Sequence, residues 1–271
     1  MLEIAIMVEG QNGLNWERWQ RLAIAVEALG FAGLFRSDHY TNANPPDMDS
    51  LELWVSLTWL ASHTQRIQFG PLVTPVSFRN PSMTARMAAA VDDLSQGRLV
   101  LGVGAGWQER EHTNYGWELL DKDERFARFT EGLEVISRML KSDSPFDYEG
   151  RYFRLQEAIL LPRPEHPGGP PILVGGNGER RTLPLAAHYA DEWNAVYLTA
   201  VGEFPGKALA GIATGVNFVM VSIGAVVGPP LFGYIVDRTS GYAESWLFTS
   251  LCMAAVAFLS LIQKKERLAT Q

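Results

Sequence analysis

Two patterns of apolar positions alternate along the first 200 residues. Short unbroken apolar runs between turn residues predict buried parallel strands. Apolar residues at three- and four-residue spacing predict amphipathic helices. The run LEIAIMV (2–8) is the first strand. Behind it Trp19, Leu22, Ala23, Val26 and Leu29 share one helical face, and Gly30 ends that helix. FAGLFRSDHY (31–40) predicts a second strand, and 49–64 a second helix with Asp49 or Ser50 as its N-cap. RIQFGPLVTP (66–75) is the third strand. The helix over 80–97 has Pro81 near its start and Gly97 at its end, the usual order for these residues. RLVLGVGAGW (98–107), PPILVGGNG (170–178) and EWNAVY (192–197) supply strands four to six, separated by helices over 124–142 and 179–190. Six strands alternating with five helices predict a parallel α/β fold. A repeat of roughly 30 residues suits a doubly wound sheet and a (β/α)8 barrel alike, so periodicity leaves that choice open.

Past residue 200 the pattern changes. Residues 208–236 contain no charged side chain, and 245–263 form a second uncharged run with Trp246 near one end. About 20 such residues suffice to span a bilayer core. Gly211, Gly215, Gly224 and Gly228 suit close helix packing, and Pro229 and Pro230 would kink the first run. The sequence KKER follows the second run. Lys264, Lys265 and Arg267 then place the C-terminus in the cytoplasm, with DRTSGYAE outside. The expectation is a domain over 1–200 and a two-helix membrane segment over 201–271. The competing reading, two buried helices of a soluble core, lacks the amphipathic period that it requires.

Charge sharpens this division. The chain carries 23 basic and 30 acidic residues, a net charge of −7. Only five basic and four acidic residues lie in 201–271, so the front domain is the acidic part. Nucleic acid is thereby excluded as a partner, since it calls for a basic stripe. One cysteine, Cys252, excludes an internal disulfide. The opening MLEIAIMVEG has no basic n-region and reads as a strand, which puts the front domain in the cytoplasm.

Candidate chemistry sits just after the strands, where parallel α/β folds bind ligands. Asp38 and His39 end strand two. His39 titrates near neutrality and could donate a proton, and Asp38 could orient a ring or accept from backbone amides. The competing role for both is a solvated turn. GVGAGW (102–107) ends strand four with small residues that admit a flat ligand. It is no dinucleotide fingerprint, because the pattern stops at Trp107 with no helix directly behind it. Glu111 and His112 read as a solvated loop or helix start. GGNGERR (175–181) joins glycines to a helix N-terminus, a natural anion site to which Arg180 or Arg181 adds charge. No Ser-His-Asp set, zinc spacing or P-loop appears, and the pieces suit a flavin-like redox site better than hydrolysis.

Several ordered motifs resemble the luciferase-like monooxygenase superfamily, and within it the oxidoreductases dependent on the deazaflavin coenzyme F420. They are SDHY, QRIQFGPLVTPVSFRNP, MAAAVDDLSQGRLVLGVGAGWQEREHTNYG, FDYEGRYFRLQEAILLPRP, PPILVGGNGE and LAAHYADEWN, spread over about 2–197. The resemblance implies a TIM-type (β/α)8 barrel and hydride transfer between a small organic substrate and F420, or FMN, which the superfamily also uses. It implies catalytic roles for His39 and Asp38 beside the ring. Leu72, Val73 and Thr74 would form a bulge, often with a cis peptide, that supports the ring. Gly104, Ala105, Gly106 and Trp107 would form a wall. Gly175, Gly176, Gly178 and Arg181 would receive the phosphate side. The sugar-phosphate dehydrogenase branch has a Glu directly after the strand-four glycines; this chain has Trp107, so that substrate is not expected.

Residues 205–267, with GPPLFGYIVDRTSGY, resemble the last two helices of a major facilitator superfamily transporter. A transporter fragment with an unrelated soluble leader is the alternative reading. The resemblance to the barrel stops after six strands of eight, with a join expected near 199–205. The fold expected is thus an incomplete barrel followed by two transmembrane helices. A fusion of two truncated genes would express poorly and bind its coenzyme weakly or not at all. The partners expected are a small-molecule substrate, a membrane through the C-terminal helices and a second copy through the barrel.

Overall fold

The computed structural model describes residues 3–194 apart from Asn177. They lie in a compact unit, Met1–Val196; the second unit, Tyr197–Gln271, lies outside the described residues, as do both uncharged runs and the transporter-like motif. No helix among the described residues is long and apolar enough to cross a membrane.

The parallel strands are β1 (Ala5–Val8), β2 (Gly33–Arg36), β3 (Gln68–Pro71), β4 (Thr74–Pro75), β5 (Leu101–Gly104), β8 (Ile172–Gly175) and β9 (Glu192–Asn194). An antiparallel hairpin, β6 (Phe146–Glu149) with β7 (Arg154–Ala158), lies between β5 and β8. Pairing runs β1-β2-β3 and β4-β5-β8-β9, all parallel, and a single bridge from Phe69 to Leu99 links the two sets. β3 and β4 are one strand interrupted at Leu72 and Val73, whose peptide bond is cis. Each parallel strand therefore neighbours the next one in sequence, with no reversal of order. A doubly wound sheet requires a reversal, so the order is that of a barrel. Counting β3 and β4 as one, the six parallel strands among the described residues agree with the sequence reading.

Local chemistry explains the helices α1 (Trp16–Ala28), α2 (Leu53–His63), α3 (Pro81–Ser95), α4 (Glu109–Tyr115), α5 (Lys122–Lys141) and α6 (Thr182–Tyr189). Asn15 caps α1, Asn80 caps α3 ahead of Pro81, and Asp121 caps α5, each by accepting from first-turn amides. α3 ends in a left-handed Gln96, and the Gly97 amide returns to the Asp92 carbonyl at 2.9 Å. Trp19, Ala23 and Val26 of α1 and Phe129, Leu133, Ile136 and Leu140 of α5 are buried at helical spacing in the core.

Two local expectations are corrected, and two elements join those expected. Glu52, not Asp49 or Ser50, caps α2, accepting from the Val55 amide at 2.8 Å. The Ser50 hydroxyl instead donates to the His39 carbonyl at 2.6 Å. β1 is half-exposed rather than buried, because among the described residues β2 is its only strand partner. α4 opens two residues past Trp107; its polar sequence EREHTNY hid it from apolar periodicity. The β6–β7 hairpin was equally unannounced. Its turn is held from α5, where Glu131 accepts from the amides of Arg151, Tyr152 and Phe153 at 2.9, 2.8 and 3.2 Å.

Candidate functional site

The ends of β2, β4 and β5 converge on one polar cluster. β2 ends at Arg36, whose guanidinium is fully buried and packs over Trp19. It donates to the Ser56 hydroxyl at 2.7 Å and the Leu51 carbonyl at 2.8 Å. Gly10 makes room for it, since a Cβ there would lie 2.4 Å from Nη2. This anchors the chain just before Asp38 and His39.

His39 meets Glu111 on α4. Its Nδ1 lies 2.8 Å from Oε2 of Glu111, a carboxylate with no exposure. The other carboxylate oxygen accepts from the Tyr40 and Thr41 amides. Gln108 adds its side-chain amide, donating to Oε2 at 3.3 Å and to the Thr41 carbonyl at 3.1 Å. A carboxylate only accepts, so Nδ1 of His39 carries the proton. Nε2 then remains without a protein partner among the described residues. Burial opposes charging the ring, but the hydrogen-bonded Glu111 and the charges of Glu111, Glu9 and Asp38 outweigh it, and the His39 pKa is raised.

Asp38 is 2% exposed. It accepts from the Thr74 hydroxyl at 2.7 Å and from both terminal nitrogens of Arg79. Both oxygens are thus engaged by the protein, so Asp38 shapes the site rather than offering a free carboxylate to it.

β5 leads into the segment Gly104 to Trp107. Val73 fills the space that side chains at Gly104 and Gly175 would need, with Cβ positions 2.6 and 2.8 Å from its methyls. These glycines let β4, β5 and β8 close on the cis segment, and Ala105 is partly buried against the core. Gly106 has φ +81°, and a Cβ there would lie 2.8 Å from the Ser77 hydroxyl. Trp107 is 62% exposed and stands edge-on to His39, ring centres 5.6 Å apart.

Next to Ser77 lies His112. Its Nδ1 donates to the Gln108 carbonyl at 2.7 Å, which leaves Nε2 to accept from Ser77 at 2.8 Å. Burial lowers its pKa, so this ring is neutral. The cations Arg125 and Arg128 act on it from α5. Arg125 Nε and the Tyr152 hydroxyl are buried with no hydrogen-bond partner among the described residues.

The structure brings together His39, Asp38, Leu72, Val73, Thr74 and Gly104 to Trp107. Gly175 joins them through Val73. Gly176, with φ +131°, and Gly178 form the turn into α6, where the Gly178 carbonyl accepts from the Thr182 amide at 2.8 Å. Arg181 does not join: it pairs with Asp123, donates to the Lys122 carbonyl at 3.2 Å and packs over Phe126 on α5. Sequence reasoning read Glu111 and His112 as a solvated loop or helix start; both lie on the short helix α4 and are buried rather than solvated. The available signal was spacing, since Gln108, Glu111 and His112 lie three and four apart on one face behind a strand end. Arg79 had no such signal.

The model of the luciferase-like monooxygenase family matches residues 3–211. The chain belongs to this family. The match runs a few residues past the join expected at 199–205. The F420-dependent glucose-6-phosphate dehydrogenase of Kineococcus radiotolerans is 33% identical over 157 residues, covering 58% of this chain and 46% of that protein. An F420-dependent secondary alcohol dehydrogenase, solved with an F420-acetone adduct, superposes with a TM-score of 0.66 at 22% identity, covering 79% and 64% of the two chains. The oxygenating constituent of 3,6-diketocamphane monooxygenase from Pseudomonas putida, solved with FMN, gives a TM-score of 0.54 at 18% identity, covering 68% and 54%. These superpositions support the barrel-type fold. The chain spans about half the length of the curated relatives it matches.

Proposed function

We propose that the front domain is an oxidoreductase module that binds coenzyme F420, or FMN, against the ends of β2 to β5 and uses His39 as acid toward a small organic substrate. The observation that carries this is the His39–Glu111 pair. Glu111 fixes the ring tautomer and favours its charged form, and Nε2 has no other duty among the described residues.

The residues fit such a coenzyme. Arg125 Nε and the Tyr152 hydroxyl are buried polar atoms lacking partners, and Arg125 and Arg128 make a cationic corner in an acidic chain. A phosphate beside this corner would pair with the guanidinium charges. The glycine turn at Gly175, Gly176 and Gly178 is a second candidate for phosphate contacts. Leu72, Val73 and Thr74 would back the ring, with Ala105, Gly106 and Trp107 beside it. When bound, the coenzyme supplies the site that accepts or donates the hydride. His39 then gives a proton to, or takes one from, the substrate oxygen through Nε2, while Glu111 holds Nδ1 and stabilises the imidazolium.

Relatives bear the name glucose-6-phosphate dehydrogenase, but Trp107 places an apolar ring beside His39, and Glu9, Asp38 and Glu111 are the charges facing it. An uncharged small substrate suits that setting better than a phosphosugar. Titration of the purified chain with F420 and with FMN, followed by turnover with neutral alcohols or carbonyls and with glucose 6-phosphate, tests this. Binding of neither coenzyme by the folded chain refutes it. Residues 201–271 we retain as a separate membrane segment, tested by fractionation; recovery of the full chain without detergent refutes it.

A further inference from the structure

We propose that Arg79 is a positioning residue of this site, holding the Asp38 carboxylate against Thr74 so that one fixed charge stands beside His39. This rests on the reading of His39 given above. Arg79 lies in the loop between β4 and α3. Nη1 bonds Asp38 Oδ2 and the Thr74 hydroxyl, the latter at 3.2 Å, and Nη2 reaches Asp38 Oδ1 at 3.3 Å. Nη2 also donates to the Tyr40 hydroxyl and to Glu52 Oε1, each at 2.7 Å. One guanidinium thus ties together the end of β2, the start of β4 and the N-cap of α2. Its side chain is mostly buried. Burial opposes its charge, but Asp38 and its other partners more than compensate and raise its pKa. Burial and the neighbouring carboxylates raise the Tyr40 pKa, so a neutral phenol accepts from Arg79 beside Glu52. A lysine ammonium carries the charge but lacks the planar fork that reaches these acceptors together.

Asp38 is the link to His39. The groups acting on that ring are Glu111 from α4, Glu9 from the loop after β1 and Asp38 from its own strand end, with Gln108 and Trp107 beside it. Without Arg79, Asp38 would be a buried carboxylate with one hydroxyl donor. It would either keep an uncompensated charge or take up a proton, and both outcomes change the field at His39.

The test follows His39 ring titration by NMR in the full chain, with His39→Gln for assignment. Arg79→Met moves the midpoint by at least about half a pH unit. Arg79→Lys recovers at least half of that shift. In an Asp38→Asn background, Arg79→Met moves the midpoint by less than about 0.2 units, because the route through Asp38 is gone. A folded Arg79→Met chain with an unchanged midpoint overturns the proposal, as does an equal shift with and without Asp38. If Arg79→Met fails to fold, Arg79→Gln takes its place in the wild-type and Asp38→Asn backgrounds, where a shift confined to the former supports the proposal and an equal or absent one overturns it. No coenzyme is needed, so a failure to bind F420 or FMN counts against the functional reading alone.

Discussion

Glu111 grips Nδ1 of His39 at 2.8 Å across 72 positions of sequence, with its other oxygen bonded to the two amides that follow His39. The carboxylate therefore fixes the ring and the backbone carrying it. A helix that begins five residues after a glycine strand end delivers this group to another strand's end.

Replacing Glu111 with Gln removes the charge and keeps the shape. Burial still disfavours the imidazolium and its strongest counter-charge is gone, so the His39 midpoint should fall from its raised position. Turnover should drop by roughly 100-fold or more, with coenzyme affinity within about a factor of three of wild type. NMR titration and binding measurements on the same sample check both. A midpoint unmoved by Glu111→Gln would remove the basis for the pair.

The raised His39 pKa also makes stability depend on pH. A group whose pKa is higher folded than unfolded stabilises fully below its unfolded pKa, and that stabilisation is lost as pH rises through the folded pKa. The urea midpoint of wild type should exceed that of His39→Gln by a margin that shrinks as pH rises above about 6.5. A margin that grows with pH would contradict the assignment.

Gly104 and Val73 should couple. Gly104→Ala puts a methyl 2.6 Å from a Val73 methyl and should cost about 1–3 kcal/mol. Adding Val73→Ala makes room, so the double variant should be more stable than the sum of the single costs predicts. Strict additivity in urea unfolding would place Val73 elsewhere.

Alternating apolar runs made the parallel strands legible, since β2, β5 and β8 are short apolar stretches cut off by turn residues. They did not reveal α4, because EREHTNY packs polar groups inward at a site. For the same reason Glu111 looked like a surface residue: burial of a carboxylate depends on amide donors from Tyr40 and Thr41, far away in sequence. Asp38 was legible as a candidate beside His39, but not that Arg79 occupies its oxygens. Arg181 looked like an anion ligand beside glycines, and only the packing of α6 on α5 shows that Asp123 engages it.

Arg125 offers a test of phosphate recognition that leaves His39 alone. Arg125→Ala should weaken FMN binding by about 10- to 100-fold and riboflavin binding by less than about threefold, because only FMN carries the phosphate. The His39 titration should stay in place. Equal losses for both ligands would move the phosphate site elsewhere, with the glycine turn at Gly175, Gly176 and Gly178 as the next candidate.

The most direct measurement is a titration of the purified full chain with F420 and FMN, read by coenzyme fluorescence. The candidate site lies on β2 to β5, α4 and α5, all among the described residues. The account therefore predicts saturable one-to-one binding of at least one coenzyme with a Kd on the order of micromolar to tens of micromolar, weak by the standard of a tight cofactor. Absence of saturable binding of either coenzyme up to about 1 mM by a folded chain would contradict it.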